Sequence, residues 1–466
     1  MQRSKWIVLI ILFFHSSHLF SQNKIEGSIP VTLEMSVEMA LAYNPTIKVA
    51  EKELEKADAE VTQAVSAILP QLDAAINFQH AWAIQESTIP NFIKPMLGPI
   101  GDYIEGIDQM PDYVRIAFGR ENTLTYGLIL TQPLFLGGAG LAGIKLSKAS
   151  LRAAEHNLEA RRQQLIYLCV DGFYSCLLAQ KLIDVQEEAM TQAQANLDVV
   201  LKKYDVGAAS GFDKMRAEVE VANLKPDLIN ALNNYQLALT RLRAIIGLDR
   251  QSDLMISGEF VYEEDEFGKL SLTELQDVAV NNRPEMLTII EQKQITQQGI
   301  NIARSDFMPK IFFTTDYSYL AMKDDLKFSQ KDFSKGFTSG ITLQLSLFNG
   351  LKTIKQYQKA HLDYNIVQDS ERQLIDIIYA EVEVALNNLN EAREKYMSAE
   401  ETVALAQESL RLANLMYEEG ANTQLDVLVS RLSLTQAQMN YYSSLYQYQI
   451  ARYQLRKVTG QTKGIL

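Results

Sequence analysis

Two cysteines in 466 residues leave no basis for a disulfide scaffold. No block of Lys or Arg interrupts a chain of formal charge −13, and so acidic a surface repels phosphate backbones, so no nucleic-acid partner is expected. Beyond the N-terminus no segment offers the ~18 uninterrupted apolar residues of a membrane helix. Histidine is scarce: His80, His156 and His361 stand alone, without Cys, His or carboxylate neighbours at ligand spacing, so no metal site is expected. Gly-x-Ser-x-Gly, Walker and His-Glu-x-x-His patterns are missing, and with them any expectation of a catalytic residue, a cofactor or an enzyme. Gly138-x-Gly140-x-x-Gly143 has dinucleotide-fingerprint spacing, but the helix it opens is far too long for a mononucleotide-binding unit. Those glycines read as the release of the chain from strand into helix. An apolar share of 47% excludes a disordered chain.

Residues 1–21 carry Arg3 and Lys5, the apolar run Trp6 to Phe14 and a small residue at Ser21, the pattern of a cleaved secretory signal. A short N-terminal segment, 22–31, follows.

The remainder contains one pattern twice. Thr32-Leu33, Ala40 and Pro45 match Ser271-Leu272, Ala279 and Pro284 at an offset of 239. At an offset of 213, Gly127, Leu134-Phe135 and Gly137 meet Gly340, Leu347-Phe348 and Gly350, and Tyr204-x-x-Gly207-Ala208…Asp213 meets Tyr417-x-x-Gly420-Ala421…Asp426. The difference of 26 is an insertion in the first copy between Pro70 and Gly127. The reading is an internal tandem duplication, with a first repeat over 32–248, an acidic linker over 249–270, a second repeat over 271–460 and a short tail, 461–466.

Each repeat reads helix, strand, strand, very long helix, helix. Ile375, Ile378, Val382, Ala385, Leu389, Ala392 and Tyr396 continue a 3-4 spacing to Tyr417, and no Gly or Pro occurs from Leu351 to Glu419, predicting a coiled-coil rod of about 100 Å. Leu165, Cys169, Gly172, Cys176 and Ala179 hold the equivalent seam in the first repeat, so the cysteines read as small packing residues. Strands are expected at about 70–84 and 122–136, then 309–321 and 336–348. Ile76 and Phe78 alternate with Asn77 and Gln79, and Ile311, Phe313 and Tyr317 alternate with Phe312, Thr314 and Asp316, as in strands with one face in lipid and one in water. Four strands do not close a barrel, so several chains must share one. The alternative is a soluble sheet on a periplasmic coiled-coil scaffold without channel activity. Residues 85–121 and 323–335 read as loops, and Glu263-Glu264-Asp265-Glu266 as a solvated linker. At the far ends of the rods, the two Tyr-x-x-Gly turns read either as helical caps or as a ring of tyrosines and carboxylates at the mouth of a tube.

The duplicated order, the Gly127…Gln132-Pro133-Leu134-Phe135-x-Gly137-Gly138 segment and the paired Tyr-x-x-Gly-x-x-x-x-x-Asp turns resemble the TolC-like outer-membrane efflux proteins. The resemblance implies an α+β membrane protein: a homotrimer whose chains share a twelve-stranded barrel in outer-membrane lipid, continued by an antiparallel helical tunnel in the periplasm. It implies the passive exit duct of a tripartite pump, with a periplasmic adaptor docking on the helical tips and an inner-membrane transporter reached through it. Carried over by position, Tyr204, Gly207, Asp213, Tyr417, Gly420, Asn422 and Asp426 form the tip, gate and docking set. Gly127, Pro133, Phe135, Gly137, Gly138, Gly340, Phe348 and Gly350 form the strand-to-helix set. The chain departs from some members at Asn422, where they carry arginine, and at Val429, where they repeat an acid.

Overall fold

A computed structural model describes residues 29–97, 109–249 and 253–462. The signal segment and part of the terminal tail lie outside these residues. In chain order the elements are β1 (Ile29–Val31), α1 (Leu33–Tyr43), α2 (Pro45–Ser66), β2 (Gln71–His80), β3 (Glu86–Pro90), α3 (Ile93–Leu97), β4 (Tyr113–Ala117), β5 (Asn122–Leu136), α4 (Ala139–Asp205) and α5 (Gly211–Ile246). Then come β6 (Leu254–Ile256), α6 (Leu272–Asn282), α7 (Pro284–Ser305), β7 (Lys310–Lys323), β8 (Ser334–Gln344), α8 (Lys352–Glu418) and α9 (Gln424–Val458). The order helix, helix, strand, strand, long helix, helix occurs twice, the first time with β3, α3 and β4 inserted between its two strands, and each long helix has 67 residues.

The single leading helix of each repeat is in fact two. Pro45 and Pro284 open α2 and α7, and a residue before proline is driven to extended backbone: ψ is 128° at Asn44 and 129° at Arg283. Each joint receives a glycine from the end of another helix. Gly247 (φ 79°) closes α5 where a Cβ would come within 3.0 Å of the Tyr43 backbone, and Gly460 (φ 72°) lies where one would come within 2.8 Å of the Asn282 carbonyl.

The chain divides into two compact units. Of the described residues, one comprises 29–44, 168–249, 253–262 and 395–450, the other 45–97, 109–167, 263–394 and 451–462.

The first unit holds the β1–β6 parallel pair and both Tyr-x-x-Gly turns. Its helices pack through small seam residues: Cys169 and Cys176 are fully buried, and Gly172 meets Leu242 and Ile245 of α5 at 3.1–3.3 Å from a notional Cβ. Burial pushes both thiols up to about 12, which leaves them unreactive. Helix α4 is the one described helix apolar and long enough, by composition, to cross a membrane, but its Val170, Phe173 and Leu177 are buried like those of a core helix.

The second unit holds an antiparallel sheet in the order β2-β5-β7-β8. Strands β2 and β8 are its edges, and neither pairs with a further strand among the described residues. Cross-strand register gathers Ile76, Tyr126 and Tyr319 on one face. On the same face Leu128, Tyr317 and Phe337 align, as do Phe313 and Ile341. This face stays open: Ile76 is 80% exposed and Ile341 69%.

Three sequence expectations need correction. Strand β2 stops at His80, where Ala81 N donates to Glu121 O (2.7 Å), and 85–121 is not simple loop, because β3 and β4 form a second hairpin within it. Strand β8 stops at Gln344 because its neighbour begins opposite it, at Lys310, so Leu345 to Phe348 run past the last available partner. The acidic linker is not wholly solvated. Asp265, 2% exposed at its side chain, accepts from Arg456 (3.1 Å), while Arg452 bonds Glu263 (3.0 Å) and lies 3.7 Å from Asp265.

Candidate functional site

The two helical turns are built alike. In the first, Gly207 takes φ 81°, Gly207 N donates to Tyr204 O (2.9 Å) and Ala208 N to Lys203 O (2.7 Å), a left-handed glycine cap. Ser210 then starts α5 with a capping box: Asp213 N donates to Ser210 Oγ (3.1 Å), while Ser210 N (3.1 Å) and Oγ (2.7 Å) donate to Asp213 Oδ2. The second turn repeats this with Gly420 (φ 73°), Ala421 N to Met416 O (2.8 Å), and Thr423 N (3.0 Å) and Oγ1 (2.5 Å) donating to Asp426 Oδ2. Nothing lies within 4 Å of a notional Cβ on Gly207 or Gly420, so conformation alone demands glycine there.

The aspartates therefore serve their own helices. Hydrogen bonds from Ser210 and Thr423 hold the Asp213 and Asp426 carboxyls below the ordinary range. Asn422 lies half-buried in its turn.

Contact between the α4–α5 and α8–α9 hairpins enlists residues that the motif does not contain. Lys203 Nζ donates to the Tyr417 carbonyl (3.3 Å) and sits 3.9 Å from the centre of the Tyr417 ring. It thus places a cation at the C-terminal end of α8, where the helix dipole favours one. Burial and the nearby Asp213 charge raise the Tyr417 phenol above its usual value. Farther along, Arg431 Nη1 donates to Glu220 Oε1 at 2.6 Å, with side chains only 6% and 8% exposed. Burial holds the Glu220 carboxyl above its ordinary value, with Arg431 opposing. Around Tyr417, the residues Leu410, Ala413, Val427 and Leu434 form an apolar cluster.

The strand-to-helix set lies in the other unit. Gly127 stands opposite Ser318, where a Cβ would approach to 2.7 Å, so β5 and β7 meet closely there. Pro133 precedes a register shift before Phe135, and its missing N–H is tolerated at that bulge. Gly137 (φ 66°) and Gly138 (φ 94°) turn the chain into α4; a Cβ on Gly137 would come within 2.5 Å of the Ser305 carbonyl. In the second half Gly350 (φ 66°) makes the turn, but Gly138 is matched by Leu351 at φ 69°, a strained conformation for a branched residue. Gly340 has open space around it, and Phe348 is exposed.

The family model described as outer membrane efflux protein matches residues 36–248 and 275–461. The chain belongs to the outer membrane efflux protein family. Members of this family are transport proteins, the outer-membrane components of pumps that work with adaptors and inner-membrane transporters. The outer membrane protein TolC of Vibrio cholerae is 20% identical over 346 residues, covering 73% of this chain and 77% of that protein. The alkaline protease secretion protein AprF of Pseudomonas aeruginosa is 21% identical over 433 residues, covering 91% and 83%. The CmeC outer membrane channel of Campylobacter jejuni shares the fold, with a TM-score of 0.72 at 20% identity over 93% of this efflux-family chain and 88% of that one.

Sequence reasoning missed Lys203, Glu220 and Arg431. No motif marks them, and Glu220 and Arg431 are separated by 211 residues. A signal did exist for the Asp265 site: Arg452 and Arg456 are four residues apart, on one face of α9.

Proposed function

We propose that three copies of this chain join their four-stranded sheets edge to edge into a twelve-stranded barrel in outer-membrane lipid, forming the passive exit duct of an export pump. The observation that carries this is the sheet itself: two long edges, β2 and β8, unpaired among the described residues, and an apolar face that is exposed on those edge strands and half-exposed on the inner two. An unpaired, exposed hydrophobic edge is an aggregation hazard in water, and closure among copies removes it. The repeated element order supports descent from a tandem duplication. The helical hairpins extend into the periplasm as a tunnel, with Tyr204, Gly207, Asp213, Tyr417, Gly420, Asn422 and Asp426 at its adaptor-docking tips.

In the closed state the two hairpins of each chain are clasped by Lys203 on Tyr417 and by Arg431 on Glu220, and an adaptor opens the tunnel by separating them. The capping acids shape the turns, and the clasp holds the turns together. The test is conductance in planar bilayers. Small, stable steps should grow severalfold when Lys203→Ala is combined with Arg431→Ala; steps that do not change in the double variant refute the clasp as the gate.

A further inference from the structure

Helices α5 and α9 hold equivalent places in the two repeats, yet only α5 contains a proline. At the offset of 213 that relates the two turns, Pro226 corresponds to Met439. Proline has no N–H, so the Ala222 carbonyl one turn back loses its donor, and the ring crowds that carbonyl and bends a helix away from itself.

Packing is thin at the same place. Over 222–230 of α5 no side chain is buried and only Leu224 and Leu228 are half-buried, whereas the matching stretch of α9, 435–443, leaves only Gln436 and Asn440 exposed. A cavity of about 650 Å³ lies beneath this part of α5, between it, α4 and α9, and is lined by Leu224, Ala231 and Gln186. Leu224 and Ala231 stand about 160° and about 140° around the helix from Pro226, so the void is on the side toward which the proline bends α5. Gln186 Oε1 is buried there without a hydrogen-bond partner. On either side of the stretch α5 is fastened. Glu220 accepts from Arg431 (2.6 Å) on the tip side, and Arg241 donates to Asp171 (2.9 Å) on the other, where Leu239, Leu242 and Ile246 are buried.

We infer that Pro226 is a hinge in α5, about which the tip segment 211–225 swings into the cavity while the rest of the helix stays seated on α4. The inference rests on the clasp reading above and deepens it: once Arg431 releases Glu220, the first turn moves without unpacking Leu242 or Ile246. Helix α9 is buried at Val427, Leu434, Ala437, Leu445 and Tyr448 and has no such joint, so the two hairpins of one chain move unequally.

The test is the spread of spin-label distances, read by pulsed electron paramagnetic resonance in the mature protein with labelled chains diluted among unlabelled ones. Labels at Met215→Cys and Leu237→Cys, both exposed, span Pro226, and labels at Leu425→Cys and Gln447→Cys are equally far apart along α9. The native Cys169 and Cys176 are buried and leave the label to the introduced thiols. With the clasp cut by Arg431→Ala, the distribution across Pro226 should be at least twice as broad as that along α9. Pro226→Ala should narrow it to the α9 width. Ala231→Leu, which puts bulk into the cavity and keeps the proline, should narrow it partway. A width across Pro226 equal to that along α9, or one unchanged by Pro226→Ala, overturns the hinge. Narrowing by Pro226→Ala but not by Ala231→Leu assigns the effect to helix propensity and overturns the swing into the cavity. Conductance steps that do not grow in Lys203→Ala with Arg431→Ala are a separate failure, that of the clasp as gate, and leave the distance widths to decide the hinge.

Discussion

The two Tyr-x-x-Gly turns share a motif, a left-handed glycine and a capping box, yet their tyrosines have different cations. Tyr204 lies 5.3 Å from Lys214 of its own hairpin, on α5, and is 42% exposed. Tyr417 lies under Lys203, which belongs to the other hairpin, and is packed on the Leu410 cluster. A repeated sequence thus reproduces the local turn, while helices that differ between the halves decide which turn reaches across. The two turns have equal caps, and only one of them makes a contact across the hairpins.

The largest effect that can break this comparison comes from the buried ion pair. Arg431→Ala or Glu220→Ala leaves a charge buried without its partner, at a cost of roughly 3–5 kcal/mol, while E220L/R431M recovers most of that loss. Hydrogen exchange of the α5 and α9 amides reads both outcomes. Next comes the tyrosine asymmetry. Lys203→Ala should cost about 1 kcal/mol of inter-hairpin contact, whereas Lys214→Ala loosens only its own turn and leaves α8 protected.

Acidity separates the clasp from the caps by sign. Glu220 has a raised folded value, so its contribution is present below the ordinary carboxylate value and lost as pH rises through the raised one. Asp213 and Asp426 have depressed values, so theirs is present above the ordinary value and lost only as pH falls through the depressed ones. Amide protection around the clasp should therefore rise on mild acidification before the turns loosen in stronger acid, and Glu220→Gln should abolish the rise while sparing the later loss. The smallest effect lies at the strand-to-helix turns: Leu351→Gly should stabilise by about 1 kcal/mol by relieving the left-handed strain that Gly138 avoids, measured as a shift in unfolding midpoint.

Periodicity made the long helices and the two-faced strands legible, because 3-4 spacing and strict alternation are written residue by residue. Strand ends were less legible. His80 and Gln344 end their strands where pairing ceases, and pairing belongs to the neighbour. The turns could be located from Gly207 and Gly420, but whether Asp213 and Asp426 face their own helix or a tunnel mouth depends on hydrogen bonds that spacing does not contain. The clasp was invisible because Glu220 and Arg431 are ordinary charged residues on amphipathic helices until packing buries them together. Asp265 misled for the same reason: its acidic neighbours suggest solvent, and its arginines lie about 190 residues away.

The most direct test of the shared barrel is the mass of the mature protein extracted from the outer membrane, measured by light scattering with the detergent contribution subtracted. A detergent-dependent particle of three chains is the predicted result. A monomer that stays dispersed without detergent would contradict it and return the exposed sheet face to a soluble role.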